Sequence, residues 1–134
     1  MDKACEILKE KGARRLIPLN VSGAFHSSLL EEASMELNEV LGKYEINKPS
    51  IPVLYNVTGG EYDGDIKEIL TKQIKSSVYF MQMVEYMIDK DVEAFVEIGP
   101  GKVLKGFVRK INKNIPVYSV EDNKSLEEMI GALK

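Results

Sequence analysis

The fold is decided by residues 94–111, AFVEIGPGKVLKGFVRKI, in which a short apolar run and an amphipathic run flank a Gly-Pro-Gly turn. Residues 94–98 are typical of a buried strand, because the run is short, mostly apolar and bounded by a turn. The amphipathic run predicts a helix, since its apolar residues share one face: Val103, Leu104, Phe107, Val108 and Ile111. Residues 115–120 predict another strand. Two strands joined by one helix predict a parallel pair.

The same alternation of strands and helices continues on both sides of this unit. Two further strands are predicted at residues 15–21 and 53–57, and Pro18 indicates that the first is an edge strand or an irregular one. Helices are predicted at 4–11, 28–42, 65–74, 80–88 and 125–133, with three capping pairs: Ser28 with Glu31, Asp65 with Glu68, and Ser125 with Glu128. The pattern predicts an α/β fold with a mainly parallel sheet flanked by helices. Four strands make a thin sheet, so we expect part of a larger domain.

The composition is typical of a globular domain and excludes several functions. The 134 residues are 44% hydrophobic and 29% charged, and 18 basic against 21 acidic residues leave a net charge of −3. This balance argues against a general nucleic-acid binder. One cysteine, Cys5, excludes an internal disulfide, and with a single histidine the chain lacks the ligands of an ordinary zinc site. Without a leader or a long apolar run, we expect a cytoplasmic protein.

The single histidine, His26, is the strongest candidate for chemistry. It lies in a loop of small residues between a predicted strand and a predicted helix, where a neutral imidazole can accept a proton from a hydroxyl. Its position alone nevertheless favours the simpler interpretation, that it is a polar loop residue or part of the helix cap. Ser22, Ser27 and Ser28 are too close in sequence to be its nucleophile, and Ser28 is better explained as a cap. No G-x-S-x-G elbow is present.

Two other features have a structural and a functional interpretation. Gln73 falls on the apolar face of its helix, so it needs partners there, although glutamines at helix edges are common. The run Glu97 to Lys102 suggests a phosphate loop, but the spacing is wrong because Val96 stands where the first glycine belongs. A tight strand-to-helix turn is the better interpretation, and Glu97 to Gly101 are assigned to scaffolding.

Four segments in order resemble one family, the malonyl-CoA:acyl carrier protein transacylases. Residues 21–27, VSGAFHS, resemble its histidine motif, and residues 92–104, VEAFVEIGPGKVL, resemble its E-x-G-P-G turn. Residues 52–57, PVLYNV, and 73–80, QIKSSVYF, match family segments between these two. Each segment alone is weak, whereas four in order along almost the whole chain are specific.

The resemblance implies roles for three residues. His26 would be the base and acid of a Ser–His pair that moves malonyl from CoA to acyl carrier protein through an acyl-serine in fatty acid biosynthesis. Gln73 would orient His26 through its main-chain carbonyl, and Phe25 would line the acyl pocket and favour malonyl. The family's nucleophilic serine, in G-H-S-x-G, and its malonyl-binding arginine both precede the matched segment. The resemblance implies no cofactor and no metal.

The same resemblance predicts the domain organisation. Residues 1–22 would end a small ferredoxin-like subdomain, and residues 23–134 would form the C-terminal part of a large α/β-hydrolase-like acyltransferase domain. A truncated chain of this kind should have no transacylase activity alone and should associate with itself. The alternative is a non-catalytic α/β module that binds a carrier protein or a CoA-like ligand, and a third possibility is a structural domain in which His26 is incidental.

Overall fold

The strand–helix–strand unit at the centre of the prediction is present in the computed structural model, which describes residues 2–17, 21 and 23–133. Strand β1 (Phe95–Ile98) and strand β2 (Val117–Val120) are parallel, with Phe95 opposite Val117, and helix α5 (Val103–Ile111) connects them. The other helices are α1 (Asp2–Glu10), α2 (Glu31–Gly42), α3 (Ile66–Gln73), α4 (Phe80–Asp89) and α6 (Asn123–Ala132), and a 3-10 turn (Ser28–Leu30) precedes α2. The α/β class is confirmed.

The core lies where α4, α5 and the sheet meet. Val84 of α4, Val108 of α5 and Val117 of β2 are buried. Six partly buried apolar residues pack around them: Phe80, Met87, Ile88, Phe95, Ile111 and Ile115. The rings of Phe80 and Phe107 meet edge to face with centroids 6.1 Å apart, a favourable aromatic geometry. The apolar periodicity of residues 80–120 therefore produced the packing that it predicted.

The sheet is smaller than predicted. Among the described residues only β1 and β2 form strands. Residues 53–57 contribute a single antiparallel bridge between Tyr55 and Gly60, because the chain turns back at once: the amides of Thr58 and Gly59 both donate to the Tyr55 carbonyl. A strand was also predicted at residues 15–21. Residues 15–17 and 21 belong to no sheet, and residues 18–20 lie outside the described part.

Two of the three predicted capping pairs are wrong, because a residue nearer the N-terminus makes each cap. Ser27, not Ser28, caps the 3-10 turn, and Glu31 instead pairs with Lys75 at 2.6 Å. The cap of α6 is Asp122, whose carboxylate accepts from the Ser125 amide at 2.7 Å. A carboxylate is a strong acceptor at a helix start, so it displaces the serine three residues later as the cap.

The remaining helix ends follow the sequence. Asp65 caps α3 by accepting from the Lys67 amide at 2.8 Å, as predicted, although Glu68 pairs with Lys72 rather than closing the box. Gly12 adopts a φ of +88°, the left-handed conformation that commonly ends a helix. Gly42 is the last residue of α2. None of the helices in the described ranges is long and apolar enough to cross a membrane.

Much apolar surface is exposed to solvent. The chain has 10587 Å² of accessible surface, whereas compact monomers of this size have roughly 7,100 Å². Ile98 of β1 is 82% exposed and Leu29 is 79% exposed, and Val103 and Leu104 at the start of α5 are also exposed. Exposed apolar surface of this extent is typical of a surface that other protein covers.

Candidate functional site

The loop that carries His26 is held against the end of α3. The His26 amide donates to the Ile74 carbonyl at 3.0 Å, and His26 adopts a φ of +58°. This left-handed conformation is uncommon outside glycine, although histidine is among the residues that adopt it more often. Ser27 closes the loop by donating its hydroxyl to the Ala24 carbonyl at 2.7 Å. The backbone therefore fixes the position of His26 before its ring makes any contact.

The imidazole ring is oriented by the Gln73 main-chain carbonyl. His26 Nδ1 lies 3.0 Å from the Gln73 oxygen. A carbonyl oxygen only accepts hydrogen bonds, so Nδ1 carries the proton and, in the neutral ring, Nε2 keeps its lone pair. Gln73 is the last residue of α3, where carbonyls have no partner within the helix. The helix end thus supplies the acceptor that selects the tautomer.

The other carbonyls at this helix end also receive partners from outside α3. The hydroxyl of Ser34, a buried residue of α2, donates to the Thr71 carbonyl at 3.0 Å. The Ile74 carbonyl accepts from the His26 amide, as described above. Three successive elements of the chain therefore meet where α3 ends, and the site is built from their hydrogen bonds.

Asn56 joins the site, and the sequence did not single it out. Its Nδ2 donates to the Gln73 carbonyl at 3.1 Å, and its backbone amide donates to Gln73 Oε1 at 3.3 Å. The half-buried Gln73 side chain, which the sequence placed inward, finds its partner here. The only available sequence signal was a polar residue within the apolar run at 52–57, and it gives no indication of this contact.

Phe25 is adjacent to His26 in sequence, and 61% of the residue is exposed. Its ring lies next to Gly23, where a Cβ would come within 3.6 Å of it. A cavity of about 270 Å³ is lined by residues 48–53, 55, 61–64 and 66. Neither Phe25 nor His26 lines that cavity, so it is separate from the histidine site.

The turn after β1 leads into α5, and a carboxylate caps the first turn of that helix. Glu97 Oε1 accepts from the Leu104 amide at 3.0 Å, and Oε2 accepts from the Lys105 amide at 3.1 Å. A bound phosphate would use the same helix amides, which a carboxylate of this chain already occupies. The geometry agrees with a scaffolding role for Glu97. Within the described part of the chain, no three His, Cys, Asp or Glu residues cluster as metal ligands would.

Comparison with known proteins shows which proteins this chain is similar to. No family model matches the sequence. The malonyl CoA-acyl carrier protein transacylase of Bacillus subtilis (strain 168) is 42% identical over 136 residues, which cover 100% of this chain and 43% of that protein. This chain therefore spans well under half the length of that curated relative.

Solved structures of the same group of enzymes superpose on this chain. The malonyl CoA-acyl carrier protein transacylase of Clostridium perfringens superposes with a TM-score of 0.89 at 48% identity, over 98% of this chain and 42% of its own. A malonyl-transacylase in complex with its holo type II PKS acyl-carrier protein superposes with a TM-score of 0.86 at 31% identity, over 98% and 43%. The resemblance expected from the four motifs is therefore confirmed: over nearly its whole length, this chain is similar to a part of the malonyl CoA-acyl carrier protein transacylases.

Proposed function

We propose that this chain supplies the histidine of a malonyltransferase that moves malonyl from CoA to acyl carrier protein. The observation that carries the proposal is the hydrogen bond from His26 Nδ1 to the Gln73 carbonyl. It leaves Nε2 as the proton acceptor. The proposal makes His26 the catalytic base, Gln73 its orienting residue through the main chain, and Phe25 a wall of the acyl pocket.

The reaction then proceeds in two transfers. His26 Nε2 takes the proton of a serine hydroxyl while its oxygen attacks the malonyl thioester, and the CoA sulfur leaves with that proton. In the second transfer the phosphopantetheine thiol of the carrier gives its proton to Nε2 and its sulfur attacks the acyl-serine. The serine oxygen then leaves with that proton, which restores the neutral imidazole. The carbonyl end of α3 carries partial negative charge, which stabilises the imidazolium formed in each step.

In this proposal the serine and the malonyl-binding arginine belong to sequence that precedes this segment. Residues 1–22 end a ferredoxin-like subdomain, and residues 23–134 form the C-terminal part of the large acyltransferase domain, in the cytoplasm. The chain alone is then inactive, since a base accelerates reaction only of a nucleophile within hydrogen-bond reach. Ser27 is next to His26 in sequence, but its hydroxyl already donates to the Ala24 carbonyl.

The proposal is tested in the complete protein that contains this segment. Malonyl-CoA should leave a malonyl adduct on one serine, detected by mass spectrometry, and His26→Asn should slow its formation about 10²–10⁴-fold. Asparagine tolerates the positive φ of His26, so this variant separates the chemistry from the backbone. Adduct formation at the original rate would refute the role of His26. Carrier or CoA binding without an adduct would favour the non-catalytic module instead.

The exposed apolar surface carries a second part of the proposal. Without the rest of the protein, the 134-residue chain should associate with itself, because Ile98 and Leu29 are almost fully exposed. Light scattering of the isolated chain should show particles larger than a monomer. A monomer that binds no dye specific for apolar surfaces would contradict self-association.

A further inference from the structure

We propose that Asn56 is a positioning residue for His26, which it orients by holding the Gln73 carbonyl in place. The inference rests on the proposed function, because it assigns a role within the same proton transfer. In the described part of the chain, Asn56 makes no hydrogen bond to His26. Its effect is transmitted through one oxygen atom that both side chains share as an acceptor.

The shared oxygen is the Gln73 main-chain carbonyl. It accepts from His26 Nδ1 at 3.0 Å and from Asn56 Nδ2 at 3.1 Å, which uses both of its lone pairs. The assignment of the Asn56 amide follows from chemistry, because Oδ1 in the same place would face another acceptor. Two donors from different parts of the chain therefore define the direction of this carbonyl.

The side-chain amide of Asn56 is favourably placed only through the hydrogen bond from its Nδ2 to the Gln73 carbonyl. Its Oδ1 is buried and has no hydrogen-bond partner among the described residues. An unsatisfied buried acceptor is destabilising, and buried polar groups in folded proteins usually find partners. The side chain nevertheless directs Nδ2 to Gln73. We take the orphaned oxygen as a second observation that the contact with the carbonyl governs this residue.

Asn56 is itself held on both sides. Its backbone amide donates to Gln73 Oε1, and its carbonyl accepts from the Tyr79 amide at 2.9 Å. The preceding residue, Tyr55, is only 5% exposed and bridges to Gly60. A fixed side chain is needed because Gln73 is the last residue of α3, and helix ends fray. Asn56 thus ties a naturally mobile carbonyl to a rigid turn.

Loss of the Asn56 amide should therefore act on proton transfer rather than on substrate binding. A carbonyl held by one donor can turn, and the imidazole ring turns with it. Small misplacements of a catalytic group lower rates by up to about 10²-fold, so we expect kcat to fall about 10- to 100-fold. KM should stay near its original value, since Asn56 does not contact substrate in this proposal.

The experiment compares three variants of the complete enzyme. Asn56→Ala removes the donor, and Asn56→Asp keeps the shape but presents only oxygens to the carbonyl. Thr58→Ala is the control, because the Thr58 hydroxyl holds the same turn through the Gly60 carbonyl at 2.7 Å without contacting Gln73. Nitrogen-15 NMR of the histidine-labelled complete enzyme reports the imidazole tautomer, and the His26 signals are assigned as those missing from His26→Asn.

Both Asn56 variants should lower kcat with little change in KM, and both should shift the ring from the pure Nδ1–H tautomer to a mixture. Thr58→Ala should preserve kcat and the tautomer. An unchanged kcat in Asn56→Ala, or an equal loss in Thr58→Ala with the tautomer preserved in all variants, would overturn the inference. His26→Asn distinguishes the two proposals: if it retains activity, the proposed function itself fails, whereas an inactive His26→Asn beside an active Asn56→Ala refutes only the role of Asn56.

Discussion

Replacing Glu97 by glutamine should destabilise the chain far more than a loss of one surface charge. Each carboxylate oxygen accepts from one amide at the start of α5, from Leu104 and from Lys105. Glutamine has one acceptor oxygen, so its NH₂ group must face the other amide. The two substituents have the same size, and the variant therefore removes an acceptor and a charge without creating a cavity.

The magnitude follows from these contacts. A hydrogen bond to a charged group contributes about 1.5–3 kcal/mol, and a negative charge near a helix start adds about 0.3–1 kcal/mol. Glu97 is only half-buried, so the lower part of this range applies, and we expect a loss of about 2–3 kcal/mol. For a domain of this length, 1 kcal/mol changes Tm by roughly 4 °C, which predicts a decrease of about 8–12 °C.

The assay is unfolding by urea and by heat. Circular dichroism is the suitable probe, since the chain contains no tryptophan. Glu93→Gln, at an exposed position just before β1, is the matched control and should change stability by less than about 0.5 kcal/mol. A Glu97→Gln variant as stable as this control would refute the reasoning that both oxygens cap α5.

Three further predictions address other parts of the chain. Gly59→Ala should destabilise by about 1–3 kcal/mol in urea unfolding, because φ is +68° and the new Cβ would lie 2.9 Å from Gln82 Cβ; wild-type stability would contradict this. Hydrogen bonds from the Ser125 side chain and amide hold the pKa of Asp122 below its ordinary 3.8, so the stabilisation is complete above pH 3.8 and is lost as the pH falls through the lowered value. Asp122→Ala should remove that acid dependence of the urea midpoint, and an unchanged acid limb would count against the cap. Finally, the complete enzyme should prefer malonyl-CoA to methylmalonyl-CoA by about 10–200-fold, a preference that Phe25→Ser should reduce; equal specificity constants in a competition assay would disprove it.

The sequence predicted best where packing partners are near one another along the chain. The unit from Phe95 to Val120 pairs two strands across one helix, so apolar periodicity alone was sufficient. The prediction at 53–57 failed because a strand needs a neighbour, and among the described residues Tyr55 finds only Gly60. The Ser28 cap failed because the capping-box spacing to Glu31 selected Ser28, whereas in the fold Glu31 pairs with Lys75 and Ser27 makes the cap.

The residues of the candidate site also differ in how far the sequence predicted them. His26 was recognisable because it is the single histidine in a loop of small residues. The contact of its ring with the Gln73 carbonyl was implied only by family resemblance, since a main-chain acceptor leaves no mark on residue type. Asn56 was missed because its amide reaches Gln73 through the fold of a turn, which no sequence spacing encodes.

The distance along the chain between His26 and Gln73 has a consequence for folding. These residues are 47 positions apart, so their contact closes a loop that contains α2 and α3, whereas the sheet closes over a single helix. Contacts between distant segments form late, and regions held by few of them open at lower free energy. In native-state hydrogen exchange, the His26 amide should exchange more readily than the Gly99 amide, which donates to Val120; equal protection would refute this. A population with intact sheet and helices would then contain molecules in which His26 is released from Gln73. A spectrum typical of the folded chain would overstate the fraction in which the imidazole ring is oriented.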